Sequence, residues 1–137
     1  MGLAEEERKL LIDYKLEKAK DTITEIPILI ENKLWRNAAN RLYYACFYAV
    51  SALLAKHGYI AHTHGGTKGL FGKYFVLTNI IGSGQNKLYE KLFDLRRKGD
   101  YDDWIVVNEQ DIKPLVEPAE NFISEIEKLI NNSPPTE

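Results

Sequence analysis

The chain has 137 residues, of which 45% are hydrophobic and 28% charged, with a formal net charge of −2. That is enough for one core and too little for two, and the mix excludes a disordered or collagen-like chain. No apolar run approaches the roughly 18 residues that cross a bilayer, and the acidic opening MGLAEEERKL lacks the pattern of a signal peptide.

The first predicted element uses Leu10, Leu11, Tyr14, Ile23, Ile26 and Ile30 as one broad face over about residues 4–32. Pro27 removes the bond to the Ile23 carbonyl, so this stretch is expected to bend or to divide into two abutting helices. Thr22-x-x-Glu25 has the capping-box pattern that suits division. Residues 34–57 follow, with Ala38, Leu42, Ala45, Cys46, Ala49 and Leu53 on one side and Tyr43, Phe47, Val50 and Leu54 beside them. A helix apolar over most of its circumference needs partners all round, and Gly58 is its expected stop.

His64 to Leu77 begins with Gly65, Gly66 and Gly69 and turns apolar at Leu70-Phe71 and Phe75-Val76. Gly82-Ser83-Gly84 reads as a flexible turn. The next helix, Asn86 to Lys98, aligns Leu88, Leu92 and Leu95 beside Tyr89 and Phe93, with Gly99 as its end. Trp104–Val107 is the one strand-like run and is too short to found a sheet. The last helix carries Leu115, Ala119, Phe122, Ile123, Ile126, Leu129 and Ile130, starts at Asn108 or Asp111, and contains Pro114 and Pro118. The expected fold is all-α: an up-and-down bundle of four or five helices forming a single domain over residues 1–131, with 132–137 as a flexible tail.

Charge is strongly segregated. Residues 32–89 hold seven basic side chains and no acidic one, whereas residues 99–137 hold two basic and ten acidic. A fold that gathers the central segments on one face would attract an anion such as a phosphate-bearing ligand; neighbouring helices of opposite sign could equally cancel.

Several residues carry candidate chemistry. Arg41, Tyr44 and Tyr48 share a helical face, either as a groove for phosphate and base or as an ion pair with packed rings. Gly65-Gly66-Thr67-Lys68-Gly69 departs from the P-loop pattern and lacks a preceding strand, yet a helix N-terminus with Lys68 can draw an anion. His62-x-His64 has no third local ligand, so no metal and no cofactor is expected. The lone Cys46 excludes an internal disulfide and reads as an inert core thiol. Leu95-Arg96-Arg97-Lys98-Gly99-Asp100-Tyr101 is the densest polar constellation. Its cations complement a helix C-terminus, and its arginines could equally bind a phosphate.

The string Asn40-Arg41-Leu42-Tyr43-Tyr44-Ala45-Cys46-Phe47-Tyr48-Ala49 resembles the HEPN domain family, in its small stand-alone bacterial and archaeal branch. Thr63-His64 followed by Leu70-Phe71-Gly72-Lys73-Tyr74-Phe75-Val76, and Arg96 with Gly99-Asp100-Tyr101, are similar to two further blocks of that branch. The resemblance covers roughly residues 5–131. It implies a helical bundle, often a homodimer, that handles nucleotides or RNA, frequently beside a minimal nucleotidyltransferase in a toxin–antitoxin pair.

Catalytic members of the family are metal-independent ribonucleases with R-x(4–6)-H. Here Arg96 and Arg97 stand in the arginine position, but His57, His62 and His64 all precede them. Asp100 and Tyr101 do not titrate near neutrality as histidine does, so a split site using His64 is the surviving catalytic option. The resemblance also implies that Tyr101 could accept an adenylyl group from the partner.

The expectation is a cytoplasmic HEPN homodimer that binds nucleotide, RNA or a nucleotidyltransferase through Arg41, Tyr44, Lys68, Arg96 and Arg97. The rival readings are a metal-independent endoribonuclease toxin, with Arg96, Asp100, Tyr101 and His64 as catalytic candidates, and a structural dimerisation module.

Overall fold

The computed structural model describes residues 4–101 and 106–132, with the side chains of residues 99–101 outside that description. Within it the helices run α1 (Glu5–Ile23), α2 (Ile26–Glu31), α3 (Trp35–Lys56), α4 (His64–Phe71), α5 (Ser83–Tyr101) and α6 (Glu109–Asn132). A π-helical turn, Gly72–Val76, continues α4. No strand occurs among the described residues, and the architecture is the expected all-α bundle.

The centre is α3, which packs against α1, α2, α4, α5 and α6. Its all-round apolar surface requires this: Ala38, Leu42, Tyr43, Ala45, Cys46, Ala49, Val50 and Leu53 are all fully buried. The small alanines let neighbouring helices approach closely. The helix ends as expected at Gly58, which adopts φ +82°. There the Tyr59 N–H donates to the Leu54 carbonyl at 2.8 Å and the Gly58 N–H to Ala55 at 3.0 Å, the paired bonds of a Schellman motif.

The N-terminal stretch divides into two helices, with Pro27 in the first turn of the second. The capping box that would explain the division does not form. Thr22 is buried inside α1 and its hydroxyl donates to the Lys18 carbonyl at 2.7 Å, so it cannot reach forward to cap α2. The buried face agrees in part with expectation. Ile26 is fully buried and Leu11, Ile23 and Ile30 pack against the core, but Leu10 and Tyr14 are exposed and Ile12, Leu16 and Ala19 are buried in their place. Two apolar rows interleave here, and packing against α3 selects the second.

Later boundaries shift for local reasons. The helix α5 begins at Ser83 inside the glycine-rich turn and runs through Gly99 to Tyr101. Both proposed caps of α6 act together: the Asp111 N–H donates to Asn108 Oδ1 at 3.3 Å, and the Asn108 N–H to Asp111 Oδ2 at 3.0 Å. This reciprocal box fixes the start at Glu109 and places Pro114 and Pro118 within the helix. Trp104, Ile105 and residues 133–137 lie outside the described residues, so the strand-like run and the tail are not placed.

Among the described residues no helix is long and apolar enough to cross a membrane.

Candidate functional site

The site begins at the first turn of α4. Thr63 is extended, and its Oγ1 accepts the Gly66 N–H at 2.8 Å. A Cβ at Gly66 would itself lie 2.8 Å from that oxygen, so a larger residue requires the Thr63 side chain to shift. Thr67, buried, adds a second tie by donating to the Thr63 carbonyl at 2.9 Å. These bonds hold His64, the first residue of α4, against α3.

The imidazole meets an aromatic wall. Its Nδ1 lies 2.7 Å from Tyr43 Oη, its Nε2 is 3.5 Å from Tyr44 Oη, and its ring centroid is 4.6 Å from that of Phe47. Burial pushes the Tyr43 hydroxyl up to about 12, although the Tyr89 hydroxyl and the Arg96 guanidinium oppose the shift. Tyr43 therefore keeps its proton at neutral pH, and its hydroxyl shares a hydrogen bond with His64 Nδ1 whose direction follows the imidazole tautomer.

Three cations from three helices surround the same rings. From α5, Arg96 is only 7% exposed, and its guanidinium carbon lies 5.1 Å from the Tyr43 centroid and 5.9 Å from that of Tyr44. From α3, Arg41 stands 5.2 Å from the Tyr44 centroid. Its Nε and an Nη donate to Asn40 Oδ1 at 3.1 and 2.9 Å, so its partner is a neighbouring amide rather than a carboxylate of another helix. From α4, the Lys68 ammonium is 5.2 Å above Phe93, whose ring is 5.9 Å from Tyr43. Tyr48 extends the wall, 5.9 Å from Tyr44, and carries Lys18 of α1 above it at 4.9 Å.

Of the residues singled out in the sequence, Arg41, Tyr44, His64, Lys68 and Arg96 thus share one cluster. Arg97 is exposed on α5 and takes no part in this ring cluster. The side chains of Asp100 and Tyr101 lie outside the described residues. His62 is exposed and His64 is turned into the wall; among the described residues no three metal-ligating side chains gather. Cys46 is fully buried, and burial pushes its thiol far above the usual range, which removes the thiolate a nucleophile requires.

Sequence reasoning misses Tyr43, which holds His64, and Phe93, which bears Lys68. The spacing marks Tyr43 as core, and it is fully buried; only its position beside Tyr44 hints at a second role. Phe93 precedes Arg96 by three residues and so shares its helix face, a usable signal.

Chemically the cluster is rich in positive charge and flat ring faces. Guanidinium and ammonium groups suit phosphate oxygens, and exposed ring edges and faces suit bases. The segment that builds most of it, residues 32–89, supplies no carboxylate to quench that charge.

Comparison with known proteins identifies the family. The family model described as the HEPN domain matches residues 12–129. A Thermotoga maritima protein named "UPF0332 protein" is 34% identical over 126 residues, covering 92% of this chain and 96% of its own. A Methanocaldococcus jannaschii protein named "Putative toxin MJ0605" is 34% identical over 120 residues, covering 88% of this chain and 84% of its own. A second protein of that organism, "Putative toxin MJ0142", is 24% identical over 119 residues, covering 87% and 81%. The chain belongs to the HEPN domain family.

Proposed function

We propose that the protein binds RNA through the phosphate backbone at the Arg41–Lys68–Arg96 cluster and acts as the toxin-like half of a two-component pair. The observation that carries the binding reading is the convergence of three cations, from α3, α4 and α5, on one set of linked rings. The names of the two archaeal relatives support the toxin-like role. The family resemblance adds a cytoplasmic homodimer with a minimal nucleotidyltransferase as partner.

In this reading Arg41 and Lys68 neutralise successive phosphates, and Tyr44 offers its ring to a base. Arg96, mostly covered, sets the local potential from beneath. Where its Nε2 carries a proton, His64 donates a hydrogen bond, which suits holding a phosphate oxygen.

Fluorescence anisotropy with a labelled single-stranded RNA tests the proposal. Affinity should fall steeply with salt. Arg41→Ala combined with Lys68→Ala should weaken binding and reduce the salt slope by about 0.7 for each phosphate that is no longer neutralised. Absence of binding at low salt, or binding indifferent to both substitutions, overturns it.

A metal-independent endoribonuclease is the second reading, favoured by His64 and Arg96 flanking the Tyr43–Tyr44 pair. When protonated, His64 could deliver its Nε2 proton to a leaving oxygen while Arg96 stabilises the phosphoryl group. Cleavage of labelled RNA in EDTA that disappears in His64→Ala would establish it; intact RNA with wild-type protein across neutral and mildly acid pH would refute it.

A further inference from the structure

We propose that a groove between α2 and α3 is the base subsite of this RNA site and that it accepts guanine. The inference rests on the phosphate-binding reading above and deepens it. The groove encloses about 370 Å³ and is lined by Glu25, Leu29, Arg36, Asn37, Asn40 and Arg41. Arg41 belongs to both places: it forms part of the groove wall, and its guanidinium lies over Tyr44. A nucleotide with its phosphate at the cationic cluster can therefore lay its base into the groove.

The wall chemistry selects among the four bases. On α3, Arg36, Asn37, Asn40 and Arg41 recur at one- and three-residue steps, so they share one face, and Tyr44 continues it one turn on. Both hydrogen bonds from Arg41 end on Asn40 Oδ1, at 3.1 and 2.9 Å. This commits the amide oxygen and leaves the Nδ2 hydrogens of Asn40 as the group offered to a ligand. Arg36 adds a guanidinium, and half-buried Leu29 gives an apolar surface for a ring face.

Glu25 is the discriminating residue. It stands at the N-cap of α2, exposed, and is the one carboxylate among the described residues that line the groove. A carboxylate has two acceptor oxygens side by side and needs two adjacent donors. Guanine alone among the RNA bases has them, in N1–H and the N2 amino group, and its O6 and N7 are adjacent acceptors for amide and guanidinium donors. Adenine and cytosine place a ring-nitrogen acceptor beside their amino group, and uracil flanks its one N–H with two carbonyl oxygens. Each of these sets an acceptor against the carboxylate.

Titration of the isotope-labelled full chain with each of the four nucleoside 5′-monophosphates, followed by NMR, tests the proposal. GMP should bind at least about fivefold tighter than AMP, CMP or UMP, with shifts at the side-chain amides of Asn37 and Asn40. Glu25→Gln should bring the GMP-to-AMP ratio close to one, and Asn37→Ala should lower it independently. Glu25 is solvent-facing, and circular dichroism of each variant verifies its fold. Equal affinity for all four nucleotides, a preference for another base, or a GMP preference that survives Glu25→Gln overturns the guanine subsite. If RNA still binds in an Arg41-dependent way while GMP shows no preference, only the subsite falls; if neither RNA nor any nucleotide binds, the phosphate-binding reading falls with it.

Discussion

The two sides of the bundle treat the same kind of side chain differently. On the α1–α6 side, Lys20 pairs with Glu127 across the helices, and Lys113 pairs with Glu109 one turn away at 3.0 Å. On the α3–α4–α5 side, Arg41 and Lys68 rest on tyrosine and phenylalanine rings, and Arg96 lies over Tyr43 and Tyr44. For Arg41 and Lys68 this follows the order of charges along the chain, since residues 32–89, which carry both, contain no acid and residues 99–137 contain ten. A carboxylate partner cancels a cation's field. A ring partner holds the cation by its quadrupole and leaves the net charge in place for a ligand. Where a cation stands therefore decides whether it serves as an exposed clasp or as a source of potential.

Substitutions on the two sides should separate by size. The largest effect is expected from Arg96→Ala, which removes a nearly covered side chain from above Tyr43 and Tyr44. A loss of about 2–3 kcal/mol is expected, measured by urea denaturation. A cost no greater than that of Lys20→Ala would erase the contrast. Next comes Tyr43→Phe, which deletes the hydroxyl hydrogen-bonded to His64 Nδ1 and should cost about 1 kcal/mol.

That hydroxyl also gives the comparison a pH axis. Because burial holds it near 12 in the folded chain, the unfolded chain ionises first as pH rises. Its contribution is complete below about pH 10 and is lost as pH climbs toward 12. Urea midpoints should fall over that window and fall less steeply in Tyr43→Phe, where the buried Tyr89 hydroxyl and Cys46 thiol, also raised, keep part of the dependence. The smallest effect belongs to Lys20→Ala, within about 0.5 kcal/mol, as for other exposed ion pairs. A larger value would show that the α1–α6 side is not the passive one.

Much of the bundle is legible in the sequence because its signals are local. The all-round apolar pattern of α3 demands a central position, and Gly58 marks its end by a conformation other residues adopt at a cost. The face of α1 is only partly legible, since one row through Leu10 and Tyr14 and another through Ile12 and Leu16 run along it and the neighbouring helix decides between them. Gly99 misleads for a related reason: glycine permits a helix to stop but does not compel it. In the site, the residue types are readable at Arg41, Tyr44, His64, Lys68 and Arg96. Their meeting is not, because it depends on how α3, α4 and α5 cross. Tyr43 stays hidden because a tyrosine whose ring is core and whose hydroxyl points at a histidine has the same letter as one that only packs.

One glycine extends the reach of the site beyond its own walls. Position 66 touches no ring and no cation in the cleft, yet any larger residue there would crowd the Thr63 hydroxyl, and it would do so at the turn that aims His64. A survey of tolerated substitutions would therefore register this place, while a map of ligand neighbours would leave it blank.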